Sequence, residues 1–201
     1  MKLFYIPGSS SLASHIALRE AAVAFELERV DHATRQTARG VDLRAIHPKG
    51  YVPVLQLDDG ETLTEGSVIV QYVADLSPDK ALAPPAGTMD RVRLQEWLAF
   101  MSAELQKCLG PLFNASIPAA GRERATARAF GHLTVVDDRL ARRQYLVGES
   151  FTVADATLYV MSSWVRRLGL DLTRFPAVTC HFHRIDERAA VRAALAAEAA
   201  A

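Results

Sequence analysis

His47-Pro48-Lys49-Gly50-Tyr51-Val52-Pro53 runs directly into Val54-Leu55-Gln56-Leu57, then Asp58-Asp59-Gly60, then Glu61-Thr62-Leu63-Thr64-Glu65-Gly66. Pro53 has no N–H to give to a ladder, so Val52-Pro53 marks a turn at the entrance to a strand. Residues 54–57 and 61–63 read as two short strands, and Asp-Asp-Gly between them is a tight hairpin signal. From Glu65 the pattern changes to a helix, with Val68, Ile69, Tyr72, Val73 and Leu76 on one face. If the Val52–Pro53 bond is cis, Val52 turns its own N–H and C=O outward, where an extended peptide can pair with it like an extra strand. An ordinary proline turn is the other reading of this segment.

Upstream, residues 2–6 (KLFYI) form a β-prone run stopped by Pro7-Gly8. Ser9-Ser10-Ser11 then opens a helix over 12–24, and all three serines are suitable N-cap residues. Residues 25–31 (FELERVD) alternate apolar and polar, the signature of a second strand. The stretch between this strand and Pro53 carries no clear period. The order is β-α-β, then β-β-α.

Downstream the character changes. Residues 77–87 (SPDKALAPPAG) break both periodicities and read as a linker. Leu94, Leu98, Met101, Leu105, Cys108 and Leu112 recur at spacings of four and three, a core-facing helical stripe. Residues 122–143 form an Arg-rich, more polar helix, and 153–168 are apolar nearly all round, which predicts a central buried helix. Thr152 and Asp155 have the capping-box spacing that starts it. Helices over about 176–187 and 189–199 complete the chain. The expected organisation is an α/β domain over 1–77, a linker over 78–88 and an all-α domain over 89–201.

Composition bounds the function. Of 201 residues, 50% are hydrophobic, so a sizeable core can form and disorder is excluded. The 23 basic side chains balance 23 acidic ones, which argues against binding nucleic acid or an anionic membrane through bulk charge. No apolar run approaches the roughly 18 residues of a membrane span, and the N-terminus falls short of a signal-peptide core. Two cysteines, Cys108 and Cys180, are too few for a disulfide framework and suit a reducing compartment. The expectation is a cytoplasmic protein.

The matching segments are K-L-F-Y-x-P-G at 2–8, S-L-A-S-H-I-x-L-R-E at 11–20 and P-K-G-x-V-P at 48–53. Further ones are L-D-D-G-x-x-L-T-E-G at 57–66, Q-Y-x-A-D at 71–75, E-W-L at 96–98 and F-T-x-A-D-A at 151–156. In this order, across nearly the whole chain, the sequence resembles a cytosolic glutathione transferase, most of all the bacterial beta class. The resemblance implies a thioredoxin-like N-terminal half, an all-helical C-terminal half and a homodimer. It also implies a detoxifying enzyme that conjugates glutathione, its co-substrate, to a hydrophobic electrophile without a metal. Glutathione would lie on Val52 and Pro53, with Glu65, Gly66 and Ser67 at its γ-glutamyl end, where a helix N-terminus and a carboxylate suit an α-carboxylate and an α-ammonium. Arg35 stands where a basic residue meets the glycyl carboxylate, and Tyr51 and Gln106 complete the set. Phe113 and Trp164 are candidates for an apolar second-substrate pocket, and are equally suited to a core.

The departures matter for mechanism. The family's usual cysteine stands here as Ser10, its usual histidine as Gln106, and nearby polar residues as Ala99 and Ala103. Serine forms no mixed disulfide, so thiol–disulfide exchange through an enzyme cysteine is not expected. A serine hydroxyl can still favour a thiolate. Lowering a thiol's pKa from about 8.5 by about two units requires about 2.7 kcal/mol. A hydrogen bond to a charged group supplies about 1.5–3 kcal/mol, and a helix N-terminus about 0.3–1 kcal/mol. Ser10 is the first candidate for this hydroxyl and Ser11 the second, with helix capping alone as the alternative and Tyr5 a weaker donor. His15 is read as packed structure, Asp155 as a folding residue, and the His181-x-His183 pair lacks a third metal ligand. A glutathione-dependent peroxidase, lyase or isomerase would use the same thiolate, and a substrate screen separates these. A non-catalytic binding or adaptor protein is the other alternative, against which the retained Val52-Pro53 and Glu65-Gly66 stand.

Overall fold

A computed structural model describes residues 1–200. Its first elements are β1 (Lys2–Tyr5), α1 (Ser11–Glu20), β2 (Glu26–Arg29), α2 (Leu43–Ile46), β3 (Val54–Gln56), β4 (Thr62–Thr64) and α3 (Gly66–Leu76). The sheet order is β2-β1-β3-β4. β1 runs parallel to β2, because α1 carries the chain back to the starting edge, and antiparallel to β3. The register aligns Leu27, Leu3, Leu55 and Leu63 in one row across all four strands. Alternation along β1 sends Phe4 to the other face. There it joins Val30, Leu43 and Val54, with Ile6, Ile46 and Val52 packed around them. The hairpin turn between β3 and β4 places Gly60 at φ +92°, a conformation glycine adopts without strain.

The single helical turn α2 was not expected from sequence. Asp42 caps it by accepting the Arg44 N–H at 2.8 Å, and its Leu43 is fully buried in the Phe4 cluster. The one-turn length explains why no helical period is visible.

Beyond a 3-10 turn at Pro78–Lys80, the chain forms α4 (Met89–Phe100), a π-helical turn (Met101–Leu105), α5 (Gln106–Leu109) and a 3-10 turn (Gly110–Phe113). It continues with α6 (Ala119–Leu140), α7 (Val153–Arg167), a 3-10 turn (Leu172–Arg174), α8 (Pro176–Asp186) and α9 (Ala189–Ala199). Every member of the Leu94-to-Leu112 stripe is buried, although the π-turn interrupts the regular helix within it. α7 is buried on almost every side and packs against α4, α5 and α8.

The chain forms two compact units, Met1–Ala83 with the segment from Arg188 onward, and Pro84–Glu187. The expected division over 1–77 and 89–201 therefore differs from the observed grouping at one element. α9 packs on α1, and the Arg188 guanidinium grips Glu20 with two bonds of 2.5 and 2.8 Å. Arg188 lies just before the alanine-rich helix, whose small side chains permit close approach to α1 but leave no sequence period pointing there.

The Asp155 reading holds. Asp155 is fully buried, and its Oδ2 accepts the Thr152 N–H at 2.8 Å and the Thr152 hydroxyl at 2.9 Å. Oδ1 accepts the Leu146 N–H at 2.9 Å and meets His181 Nε2 at 2.9 Å. One carboxylate therefore ties together the start of α7, the loop before it and α8. Among the described residues no helix is long and apolar enough to cross a membrane.

Candidate functional site

The turn before α1 separates the three serines. Ser9 Oγ accepts the Ser11 N–H at 3.2 Å and lies 2.8 Å from Ser11 Oγ. Ser11 is fully buried, and its hydroxyl accepts the Ile6 N–H and donates to the Ile6 C=O, both at 3.3 Å. Both hydroxyls are thus committed to closing the loop between β1 and α1. This removes Ser11 from the choice of sulfur-facing hydroxyls, and its burial is the reason. Ser10 occupies the N-cap position of α1 but makes no side-chain cap bond. It is half-buried, and its hydroxyl has no partner among the described residues. The expectation that the serines cap α1 is corrected at this position: φ −60° and ψ −20° are helical, whereas a capping residue has extended dihedrals, and no side-chain cap bond forms.

Tyr5 is buried at 2% exposure, and burial pushes its phenol above the ordinary tyrosine range, followed by the nearby charge of Glu198. It therefore resists acting as a phenolate.

Behind the serine loop lies a network that the sequence did not suggest. Gly8, with φ +64°, donates its N–H to Glu198 Oε2 at 2.7 Å. Glu198 Oε1 lies 3.0 Å from Nδ1 of the fully buried His15, and Arg19 Nε donates to His15 Nε2 at 2.8 Å. Nε2 accepts from arginine, so Nδ1 carries the proton given to Glu198. His15 is thus packed and structural, as expected, while Glu198 was missed because its partners lie 183 and 190 residues away. Replacing Glu198 with alanine removes the acceptor of the Gly8 N–H and strands the buried His15 Nδ1–H. It should lower unfolding free energy by about 2–4 kcal/mol, read from urea denaturation; a loss under 1 kcal/mol would show that water replaces the carboxylate.

The second wall of the site is the segment before β3. The Val52–Pro53 bond is cis. Neither the N–H nor the C=O of Val52 has a hydrogen-bond partner among the described residues, and β3 starts only at Val54. Glu65, at the N-cap of α3, has φ +67°, a left-handed conformation that is strained for glutamate. Strain of this kind is retained where the surroundings fix a side chain in place. Glu65 Oε1 accepts from Lys49 Nζ at 2.7 Å and from the Tyr51 hydroxyl at 2.8 Å. These bonds, Lys49 first and Tyr51 second, hold the Glu65 carboxyl below the ordinary carboxylate range, while the Lys49 ammonium is raised. The N–H groups of Gly66 and Ser67, in the first turn of α3, are unpaired among the described residues, as is the Ser67 hydroxyl. Arg35, at φ +61° in the loop between β2 and α2, is half-buried and its guanidinium has no partner among the described residues.

The first unit thus carries open polar groups at Ser10, Val52, Glu65, Gly66 and Ser67, whereas the Tyr51 hydroxyl is already committed to Glu65. Gln106 begins α5 in the second unit and is half-buried. Also in that unit, Phe113 is 43% exposed and meets the 7%-exposed Trp164 edge to face at 5.4 Å. Arg167 Cζ lies 5.3 Å from the centre of the Phe113 ring. Trp164 is therefore core that supports an exposed Phe113. Among the described residues no cluster of three or more His, Cys, Asp or Glu side chains is placed to hold a metal ion.

Comparison with known proteins places the chain in a family. Residues 9–76 match the glutathione S-transferase N-terminal domain and residues 119–197 the C-terminal domain. A glutathione S-transferase of Escherichia coli O157:H7, GstA, is 40% identical over 198 residues, 98% of each chain. The solved structure of a sphingomonad glutathione S-transferase complexed with glutathione is 44% identical, covers 100% of both chains and superposes with a TM-score of 0.96. A bacterial beta-class glutathione S-transferase of Sphingomonas chungbukensis is 43% identical over 98% of each chain, with a TM-score of 0.95. With both family domains matched in order, and relatives of this identity aligned from end to end, the chain belongs to the glutathione S-transferase family, among its bacterial beta-class members.

Proposed function

We infer that the protein conjugates glutathione to a hydrophobic electrophile and that Ser10 stabilises the glutathione thiolate. The observation that carries this reading is the set of unpaired groups in the first unit. The open N–H and C=O of Val52 suit the cysteinyl backbone of an extended tripeptide. The Glu65 carboxylate and the free N–H groups of α3 suit the two charges of the γ-glutamyl end. Arg35 offers an unpaired cation to the glycyl carboxylate. Ser10 then presents a free hydroxyl at the N-terminus of α1, where the helix dipole also favours negative charge. The thiol proton leaves to solvent, the thiolate forms a C–S bond to the electrophilic carbon, and the leaving group departs with its electron pair. In the second unit, Phe113 backed by Trp164 offers apolar surface suited to a hydrophobic electrophile, and Gln106 offers a polar side chain.

The sphingomonad relative that binds glutathione supports the ligand assignment. Exposed Val68 and Leu76, eight positions apart on α3, support pairing with a second copy of the chain. The unpaired cysteines fit the reducing cytoplasm.

Calorimetric titration with glutathione at neutral pH, in two buffers of different ionisation heat, tests the reading. Binding should release most of one proton. Binding without proton release would overturn thiolate activation, and absence of binding would overturn the glutathione site itself.

A further inference from the structure

The two oxygens of Glu65 are not equivalent. Oε1 accepts from both Lys49 Nζ and the Tyr51 hydroxyl, and Oε2 has no partner among the described residues. Lys49 is itself steered by a bond from Nζ to Thr64 Oγ1 at 3.0 Å, and its ammonium also lies 5.8 Å from the Tyr51 ring centre. The segment 49–51 therefore holds the Glu65 carboxylate by Oε1 and leaves Oε2 without a partner among the described residues.

Charge gives this arrangement a consequence. Glu65 alone would make the pocket at the start of α3 anionic and open to any amine. The bound Lys49 cancels that charge, and the free first-turn N–H groups of α3 add about half a positive charge. A pocket balanced in this way accepts an ammonium only when a carboxylate arrives with it.

We propose that Lys49, with Tyr51, is a specificity-determining positioning residue that makes the Glu65 pocket select the zwitterionic α-amino-acid end of a γ-glutamyl thiol over an amine lacking the carboxylate. The proposal rests on the glutathione reading above. Lys49 acts through Glu65, and through its charge on the ligand carboxylate, without entering the chemical step. The sequence gives no local cue to it, because Lys49 and Glu65 are 16 residues apart and on different elements.

The test is calorimetric titration of the wild-type protein, Lys49→Met, Lys49→Arg and Tyr51→Phe. The ligands are glutathione and its decarboxylated analogue, 4-aminobutyryl-cysteinylglycine. The wild type should prefer glutathione. In Lys49→Met, glutathione should weaken by about fivefold while the analogue binds unchanged or tighter, so the preference shrinks. Lys49→Arg should restore most of the preference, and Tyr51→Phe should weaken glutathione by about two- to fivefold. Equal weakening of both ligands in Lys49→Met would overturn the proposal, because it is the signature of a merely structural lysine. So would an unchanged preference. Failure of the wild type to bind glutathione would instead overturn the parent reading, and the wild-type titration alone distinguishes the two failures.

Discussion

Asp155→Ala lowers the unfolding free energy by about 3–5 kcal/mol, the range found when one partner of a buried polar network is removed. The carboxylate takes hydrogen bonds from the Leu146 N–H, the Thr152 N–H and the Thr152 hydroxyl, and faces His181 Nε2. Asp155 and His181 are both fully excluded from solvent, so water does not readily replace the lost acceptor. Each buried donor left without a partner costs about 1–3 kcal/mol, and loss of the cap about 1 kcal/mol more. Relaxation keeps the total below the simple sum. Against a native stability of about 5–15 kcal/mol, such a loss leaves a large unfolded fraction on modest heating. Urea denaturation followed by far-UV circular dichroism measures it. Glutathione affinity of the folded fraction should be unchanged, because Asp155 touches none of the groups assigned to ligand binding. A loss below 1 kcal/mol would contradict the four-contact account.

Ser10→Ala has its effect on chemistry and little on stability. The Ser10 hydroxyl makes no cap bond and has no other protein partner, so its removal strands nothing in the free protein. Stability should stay within about 0.5 kcal/mol of wild type. The bound thiolate loses a charge-assisted hydrogen bond of about 1.5–3 kcal/mol. That raises the thiol pKa by about 1–2 units and lowers kcat/KM at neutral pH by about 10- to 100-fold. The deficit should narrow as pH rises, because solution then removes the proton without help. A pH–rate profile with an aryl halide acceptor reads this directly. Ser11→Ala behaves in the opposite way, since its hydroxyl closes the loop onto Ile6: stability falls and the thiol pKa stays. A rate deficit in Ser10→Ala that is independent of pH would contradict the assigned role.

The elements that sequence reading places well are those with a strong local period or an unmistakable turn. The Leu3, Leu55 and Leu63 row follows from strand alternation on either side of Asp58-Asp59-Gly60, and the buried Leu94-to-Leu112 stripe from its spacing. Val52-Pro53 and Glu65 become site candidates through the family resemblance, since on local pattern alone an ordinary proline turn and a helix-start carboxylate are equally open readings. What escaped depends on tertiary geometry. Three consecutive serines look alike on paper, and only the folded loop shows that Ser9 and Ser11 face each other while Ser10 stands free. α2 is one turn long and carries no period. Tyr51 offered a hydroxyl that the fold had already given to Glu65. The Glu198 network and the placement of α9 depend on contacts across almost the whole chain, which no local pattern encodes.

The return of α9 to the first unit also orders events during synthesis. A ribosome makes the four strands, α1 and α3 first, yet the Gly8 N–H, His15 and Glu20 receive Glu198 and Arg188 only after the entire helical unit has been translated. The nascent N-terminal unit therefore waits, with one side of α1 uncovered, until α9 has been made. Chains cut before α9, by a premature stop codon or a protease, keep Ser10, Val52 and Glu65 but lack the contacts to Gly8, His15 and Glu20. Such chains leave the side of α1 that α9 covers open to water.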